Sequence, residues 1–447
     1  MSHLDVSRAL APLVASVHLP GSKSITNRAL LLAARATSLT RLTGLLFADD
    51  TRQMLAALTA IGYLLHVVEP AREVQVQGMP LPAGRGQVLA CGNSGTTLRF
   101  LLAALALAPR SQAGYLLDGI ARMRERPIGE LVDQLRILGA EIAYTGREGY
   151  PPLLVRGGGL QGVCSFSDAK SSQYISAILM AGPQNEQGID VGLLGAVTSE
   201  PYVLMTLRMM EQFGVRVDVH DLCGQSPARI LRVPAGRYAV AGGTYAIEPD
   251  ASNASYFWAL GALLPGSRIR VAGLGRNSLQ GDVRVAEVLG DMGAAVTHDA
   301  ESITVAAPPT GVLRGVERDM NAIPDMVQTI AVAALFAEGR TLLKNVWNLR
   351  VKETDRLAAL ETELRKFGAT VETGRDWISI DPPGQEKLAA AGRVEVATYE
   401  DHRMAMAFAV AGVVRGDVRI LDPGCTAKTY PEFFEDLATL VGSGRGG

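Results

Sequence analysis

The chain has 447 residues, more than one ordinary hydrophobic core accommodates, so its length suggests two to three domains. Its 43 Lys and Arg are balanced by 45 Asp and Glu, and the net charge of −2 argues against the broad basic surface of a nucleic-acid-binding protein. The longest uncharged apolar stretch, 100–108, is far shorter than the roughly 20 residues that span a membrane. Residues 1–12 do not resemble a signal peptide, so we expect a cytoplasmic protein that contacts neither nucleic acid nor membrane.

The cysteine and histidine patterns predict a reduced protein without a metal site. Cys91, Cys164, Cys223 and Cys425 lie far apart with no C-x-x-C pair, and the six histidines show no H-E-x-x-H spacing. Neither a disulfide framework nor a zinc site is indicated.

The first informative element is residues 19–28, Leu-Pro-Gly-Ser-Lys-Ser-Ile-Thr-Asn-Arg, which precede an apolar helical run. The start of a helix has unpaired N–H groups and a positive dipole end, so Lys23, Ser24 and Arg28 are candidates for holding a phosphate. The stretch is not a Walker A loop, because Ser22 separates Gly21 from Lys23. A capped helix with solvated cations is the alternative.

Four further motifs in the first half also combine small, polar or cationic residues with a predicted helix start. Gly95 permits close approach of a ligand, and Arg122 belongs to a run of three arginines suited to carboxylate or phosphate. Each motif is equally compatible with an ordinary turn, a charged loop or an N-cap. The motifs are 93–99 (NSGTTLR), 122–127 (RMRERP), 171–173 (SSQ) and 199–202 (SEPY).

The glycines at 157, 159 and 162 match the spacing of a dinucleotide-binding loop, but they precede strand-like residues rather than a helix, so we reject that interpretation.

An internal repeat runs through the chain. Five helical segments end in a glycine that is followed by strand-like alternation, and the glycines are 77, 75, 79 and 75 residues apart (Gly62, Gly139, Gly214, Gly293 and Gly368). Such a period predicts six α/β units, with the sixth split between the termini or degenerate. Six units suggest two domains of three, with chain crossings near 20–21 and 242–243.

Charged motifs return in the second half. Asp325 precedes an apolar helix, where it could be an N-cap or a general base kept ionised by cations. In 348–356 (NLRVKETDR), Lys352 and Arg356 would share a face if the segment is helical, although alternating charge normally marks a solvated surface. Arg403 begins another helix, and Lys428 lies in a Cys-Thr-Ala-Lys-Thr segment.

Together these motifs closely resemble the 5-enolpyruvylshikimate-3-phosphate synthases, a family of enolpyruvyl transferases. The matching segments run in order from Leu19 to Pro431 and include LPGSKS, RMRERPI, RVKETDR, DHRMAM and CTAKT. The resemblance implies an α/β (α+β) fold of two similar domains, each of three βαβαββ repeats, with the active site in the cleft between them. We expect domain 1 to comprise 1–20 and 243–447, and domain 2 to comprise 21–242.

The resemblance also implies a reaction. The family transfers the enolpyruvyl (1-carboxyvinyl) group of phosphoenolpyruvate to the 5-hydroxyl of shikimate 3-phosphate, by addition and elimination through a tetrahedral intermediate. Phosphate is released, and the product leads to chorismate and the aromatic amino acids. We therefore expect a monomeric transferase that needs no cofactor.

Site residues follow from the matching motifs. By resemblance, Asp325, Glu353 and Lys23 are catalytic, with Asp325 serving the hydroxyl and Glu353 the methylene group. The residues expected to bind shikimate 3-phosphate are Lys23, Ser24, Arg28, Ser171, Ser172, Gln173, Ser199, Tyr202, Asp325, Asn348 and Lys352. Those expected to bind phosphoenolpyruvate are Lys23, Gly95, Arg122, Gln173, Arg356, Arg403 and Lys428.

Two alternatives stay open. UDP-N-acetylglucosamine enolpyruvyl transferases share the fold and the donor, but their usual loop cysteine has no counterpart in 122–127. A non-catalytic anion-binding protein on the same scaffold would be expected to lose Asp325, Glu353 or Lys23. Departures from the usual family pattern at Thr97, Phe100, Lys170 and Pro249 leave the response to the inhibitor glyphosate open.

Overall fold

The computed structural model describes residues 3–221, 228–390 and 392–443, and Cys223 lies outside these ranges. The chain forms two compact units. The first consists of Met1–Pro20 and Glu248–Gly447, and the second is the continuous segment Gly21–Ile247.

The strands of the described ranges are short. In chain order they are β1 (His3–Val6), β2 (Val14–Val17), β3 (Leu39–Thr43), β4 (Leu64–Val68), β5 (Glu73–Gln77), β6 (Arg85–Ala90), β7 (Gly114–Asp118), β8 (Glu141–Tyr144), β9 (Leu153–Gly157), β10 (Gly162–Ser167), β11 (Ile189–Leu194), β12 (Asp218–Asp221), β13 (Ala228–Val233), β14 (Thr244–Ala246), β15 (Arg268–Ala272), β16 (Ala295–His298), β17 (Ser302–Ala306), β18 (Leu313–Arg314), β19 (Glu317–Asp319), β20 (Ala337–Glu338), β21 (Thr341–Lys344), β22 (Thr370–Thr373), β23 (Trp377–Asp381), β24 (Val394–Val396) and β25 (Val418–Leu421).

The helices alternate with these strands. They are α1 (Lys23–Ala34), α2 (Asp49–Ile61), α3 (Gly95–Leu105), α4 (Ala121–Arg124), α5 (Gly129–Ile137), α6 (Ser172–Ala181), α7 (Pro201–Gln212), α8 (Ala251–Leu263), α9 (Val285–Asp291), α10 (Val327–Ala334), α11 (Arg356–Lys366), α12 (Gln385–Ala390), α13 (His402–Arg415) and α14 (Phe433–Ser443).

Five four-stranded sheets share one connectivity. In each, two strands run parallel and two more continue the sheet antiparallel, in the orders β14-β3-β5-β4, β6-β7-β9-β8, β10-β11-β13-β12, β2-β15-β17-β16 and β19-β21-β23-β22. Together with the helices between the strands, this is the βαβαββ repeat that the family resemblance implies. The sixth repeat is split between the termini: β24 pairs parallel to β25, and the N-terminal β1 pairs antiparallel to β25.

Two sheets exchange their first strands, and this moves the predicted domain boundary. β2 precedes α1 in the chain but pairs with β15 of the first unit, whereas β14 precedes α8 but pairs with β3 of the second unit. The predicted division at 242–243 would have assigned β14 to the first unit. The chain instead divides between Ile247 and Glu248, because the β14–β3 pairing holds β14 in the second unit.

The repeat glycines end their helices as predicted. All five have a left-handed backbone, with φ between 84° and 115°, which costs glycine little because it has no Cβ. Four lead directly into a strand, but after Gly214 the strand begins only at Asp218. The glycines at 157 and 162 end one strand and begin the next, so the dinucleotide-loop interpretation was rightly rejected.

The first helix of each repeat forms the core of its unit. Every residue of α3, α8 and α10 is buried, as expected for helices that are apolar on all sides. In α1 and α6 the partly exposed residues stand at the N-terminal end: Lys23 and Ser24 in α1, and Gln173 in α6. The core helices therefore present predicted site residues at their N-terminal ends.

Candidate active site

Seven charged side chains meet in the first unit, and we call them the carboxylate–cation cluster. Its members come from loops and helix starts that are far apart in sequence: Asp325, Lys352, Glu353, Arg356, Asp401, Arg403 and Lys428. Six of the seven are predicted site residues, so this part of the prediction is brought together in space.

Arg356 lies at the centre of the cluster. It is the first residue of α11, is 1% exposed, and donates hydrogen bonds to three carboxylates. Its Nε and Nη2 atoms contact the Asp401 carboxylate at 2.6 and 3.2 Å. Its Nη1 lies 2.9 Å from Asp325 Oδ1, and its Nη2 lies 2.8 Å from Glu353 Oε2. A planar guanidinium with several donors is suited to this arrangement, and a lysine ammonium is not.

Asp325 binds three cations, and at the start of α10, within the described residues, it makes no capping bond. Lys352 Nζ and Arg356 Nη1 approach its Oδ1 at 3.2 and 2.9 Å, and Arg403 Nη2 donates to its Oδ2 at 3.2 Å. Burial raises the pKa of Asp325, but the charges of Lys352, Arg403 and Arg356 outweigh burial and hold that pKa well below its usual range. The carboxylate is therefore ionised at neutral pH, and its cations are positioned around it.

Glu353 and Asn348 flank this arrangement. Lys428 Nζ lies 3.8 Å from Glu353 Oε1, so Glu353 contacts a cation through each oxygen. Asn348 is 5% exposed, and its Oδ1 has no hydrogen-bond partner among the described residues. A buried amide oxygen without a donor is costly, which favours a ligand or water donor at this position.

Helix capping orients the cluster. Asp355 caps α11 by accepting from Ala358 N at 3.1 Å, and Asp401 caps α13 by accepting from Arg403 N at 2.9 Å. Lys352 lies before α11, so the continuous helix on which the i, i+4 relation with Arg356 depended is not formed. Lys352 and Arg356 are instead brought together at Asp325, where both contact the Oδ1 atom.

In the second unit, predicted residues lie at the starts of α1, α3, α6 and α7. Arg28 joins three of these helices. It is 1% exposed and donates from Nε to Thr206 Oγ1 at 2.8 Å, and from its other nitrogens to Ser176 Oγ and to the carbonyls of Ser24 and Tyr202 at 3.0–3.3 Å. The ring of Phe100 lies 4.9 Å from its guanidinium. Burial lowers the pKa of Arg28 to about 10, so it stays charged at neutral pH.

Gly95 begins α3 between two arginines. A Cβ at this position would lie 3.1 Å from Arg126 Nη2 and 3.2 Å from Arg99 Nη1. Arg99 donates to Gln173 Oε1 at 2.5 Å and so links α3 to α6. The predicted Arg122 lies on α4, where it forms an ion pair with Glu125 at 2.7 Å.

The remaining predicted residues of this unit surround the same helix starts. Lys23 Nζ lies 3.4 Å from Asp50 Oδ2. Ser171 caps α6 by accepting from Gln173 N at 3.3 Å, and the buried Ser172 is the first residue of the helix. Ser199, with a left-handed φ of 58°, directly precedes the Glu200-Pro201-Tyr202 start of α7. Of these serines Ser171 caps a helix, while Ser172 and Ser199 lie at or just before a helix start.

Sequence reasoning missed three residues that the structure places at these sites. Asp401 holds Arg356, and Arg99 and Arg126 flank Gly95. All three belong to motifs already singled out, so their charge within those motifs was the available signal.

In the described ranges, no group of three or more His, Cys, Asp or Glu side chains is arranged to hold a metal ion. No helix described there is both long and apolar enough to cross a membrane.

Comparison with known proteins supports the assignment of the fold. The structure is similar to the crystal structure of an enolpyruvyl transferase from Streptomyces tendae, with a TM-score of 0.70 and 18% identity over 98% of this chain and 97% of the other. It is also similar to EPSP synthase from Acinetobacter baumannii, with a TM-score of 0.78 and 25% identity over 98% of each chain. The fold is that of the two-domain enolpyruvyl transferases.

Sequence similarity narrows the assignment. Residues 8–437 match the family model of EPSP synthase (3-phosphoshikimate 1-carboxyvinyltransferase). The chain is 48% identical to a 3-phosphoshikimate 1-carboxyvinyltransferase of Klebsiella pneumoniae over 433 residues, which is 96% of this chain and 97% of the relative. It is 46% identical to that of Escherichia coli O127:H6 over 431 residues, with the same coverage. The chain therefore belongs to the EPSP synthase family of transferases.

Proposed function

We propose that this protein transfers the enolpyruvyl group of phosphoenolpyruvate to the 5-hydroxyl of shikimate 3-phosphate and releases phosphate. The observation that carries the proposal is the ionised Asp325 among Lys352, Arg356 and Arg403, with Glu353 on the same arginine. Both substrates bear a phosphate and a carboxylate, so their binding side by side requires several fixed cations.

Binding of the substrate anions would raise the pKa of Asp325. Its pKa is held down by three cations, and a carboxylate in that state is a weak base. When a substrate phosphate or carboxylate pairs with the same cations, their effect on Asp325 falls and its pKa rises towards its usual value. Substrate binding would thus prepare Asp325 to accept the proton of the 5-hydroxyl as its oxygen bonds to the enol carbon, while protonated Glu353 gives its proton to the methylene carbon. In the elimination Glu353 would take a proton back from the resulting methyl group as the C–O bond to phosphate breaks, and the leaving phosphate would take the proton held by Asp325.

We further propose the residue roles that the family motifs imply. Shikimate 3-phosphate would bind to Lys23, Ser24, Arg28, Ser171, Ser172, Gln173, Ser199, Tyr202, Asp325, Asn348 and Lys352. Phosphoenolpyruvate would bind to Lys23, Gly95, Arg122, Gln173, Arg356, Arg403 and Lys428. Because Arg28 already donates to four protein oxygens, we assign it mainly to holding α1, α6 and α7 in register around the shikimate 3-phosphate site.

A phosphate-release assay tests the function. Purified protein should release phosphate from phosphoenolpyruvate only when shikimate 3-phosphate is present, and should do so in EDTA without added metal. UDP-N-acetylglucosamine as the acceptor tests the sister activity, and binding of both anions without phosphate release would support the non-catalytic alternative. The predicted monomeric state is checked by light scattering, and the cytoplasmic location by cell fractionation.

A further inference from the structure

The turn that precedes α13 has an unusual backbone. Tyr399 and Glu400 both have a φ of 56°, a left-handed conformation that side chains with a Cβ disfavour. Asp401 N donates to Thr398 O at 2.9 Å and closes a four-residue turn around them. Positive φ at both central positions is the pattern of a type I′ turn, which normally uses glycine, asparagine or aspartate.

This turn leads directly into the carboxylate–cation cluster. Its last residue, Asp401, caps α13 and holds Arg356, and Arg403 follows two residues later. A turn that opened would therefore move Asp401 and Arg403 relative to Asp325.

A buried carboxylate ties the turn to α11. Glu363 is 0% exposed, and its Oε1 accepts from the Tyr399 hydroxyl at 2.7 Å. Its Oε2 accepts from Ala397 N at 3.1 Å and from Lys366 Nζ at 2.7 Å. Burial and the bond to Glu363 raise the pKa of Tyr399 to about 12, so the hydroxyl remains a donor at neutral pH.

The helix α11 thus contacts the turn at two points, through Arg356 at its first residue and through Glu363 two turns later. We propose that Tyr399 and Glu363 are positioning residues for the reaction: their hydrogen bond keeps the 398–401 turn closed and fixes Asp401 and Arg403 beside Asp325. This inference rests on the proposed function, but neither side chain is assigned a contact with substrate.

The test compares Tyr399→Phe with a matched control. Tyr399→Phe removes only the hydroxyl of a side chain that is 39% exposed, whereas Tyr115→Phe removes a hydroxyl bond of nearly the same length, 2.8 Å to Pro82 O, from a fully buried tyrosine in the other unit. Because Arg356 and Arg403 are assigned to phosphoenolpyruvate, Tyr399→Phe should raise KM for that substrate roughly three- to tenfold, the worth of one hydrogen bond. KM for shikimate 3-phosphate should be nearly unchanged, and Tyr115→Phe should alter neither.

A rescue variant separates positioning from general stability. Glycine adopts a left-handed backbone without steric cost, so adding Glu400→Gly to Tyr399→Phe should keep the turn closed. The KM for phosphoenolpyruvate should then fall most of the way back to the wild-type value. Hydrogen exchange supplies a second measurement, since the Asp401 amide should exchange faster in Tyr399→Phe than in the wild type.

The outcomes decide between the possibilities. A wild-type protein without phosphate release contradicts the proposed function. If the wild type is active, three results would overturn the positioning role. Tyr399→Phe could have the same KM values as Tyr115→Phe, it could raise the KM values for both substrates equally, or its Asp401 amide could exchange at the wild-type rate. Failure of Glu400→Gly to restore the KM overturns it as well.

Discussion

Arg356 and Asp401 form a two-point ion pair in which both side chains are almost fully buried. The Nε–Oδ2 and Nη2–Oδ1 distances are 2.6 and 3.2 Å, and the exposed fractions of the two side chains are 1% and 0%. The same aspartate caps α13. One carboxylate therefore fixes the orientation of a guanidinium that also contacts Asp325 and Glu353, the two carboxylates assigned to catalysis.

Asp401→Asn should destabilise the protein strongly. An asparagine still caps the helix, but it removes the charge of one of the three carboxylates around a buried arginine. Arg356 keeps Asp325 and Glu353, so the change should cost about 1.5–3 kcal/mol, the worth of hydrogen bonds to a charged group. Asp355→Asn is the matched control, because Asp355 caps α11 and pairs with Arg350 at 2.8 Å on a more exposed surface. That change should cost about 0–1 kcal/mol. Urea unfolding measures both, and equal losses would reduce Asp401 to a helix cap.

Acid stability should depend on Asp325. Since the cations lower its pKa in the folded state, unfolding in acid is accompanied by proton uptake at this residue. Its stabilising effect is complete above the unfolded pKa of about 4 and is lost as pH falls below that value. The difference in unfolding free energy between wild type and Asp325→Asn should therefore narrow as pH falls from about 5 to about 2.5. A constant difference over this range would contradict the prediction.

Asp325→Asn and Glu353→Gln should separate chemistry from binding. Each keeps the side-chain volume but removes a proton acceptor or donor, so kcat should fall roughly 10²–10⁴-fold. The KM values should rise little or fall, because an anion that competes for the cations has been neutralised. Glu361→Gln is the control, since it neutralises a carboxylate of α11 that pairs with Arg365 outside the cluster. Near-native kcat in both cluster variants would show that the role assignments are wrong.

Lys23→Met should behave differently from these two variants. It removes a cation assigned to both substrates, so both KM values should rise while kcat falls. The pairing of Lys23 with Asp50 at 3.4 Å means that the substitution also leaves a buried carboxylate without this partner. Steady-state kinetics with each substrate varied separately measures the difference, and a fall in kcat alone would contradict the binding role of Lys23.

The sequence predicted the repeat and the charged motifs because both have local signals. A left-handed glycine after a helix and an arginine beside a small-residue turn are recognisable without a structure. Residues 1–20, and with them β2, were predicted to belong to the first unit, but the pairing of β14 with β3 has no such signal, since β14 precedes a helix just as the first strand of any other repeat does. The role of Asp401 was also hidden, because a capping aspartate and the partner of a buried arginine have the same sequence pattern.

Gly95→Ala should impair phosphoenolpyruvate binding without unfolding the protein. The new Cβ would lie 3.1 Å from Arg126 and 3.2 Å from Arg99, and these flexible guanidinium ends can move aside by a few tenths of an ångström. Their movement displaces the donors around the start of α3, so KM for phosphoenolpyruvate should rise about tenfold, the worth of one charge-assisted hydrogen bond. Gly442→Ala is the control, since a Cβ there would meet nothing within 4 Å. Thermal unfolding should show similar stability for both variants. If Gly95→Ala binds phosphoenolpyruvate as tightly as Gly442→Ala does, the start of α3 does not contact that substrate.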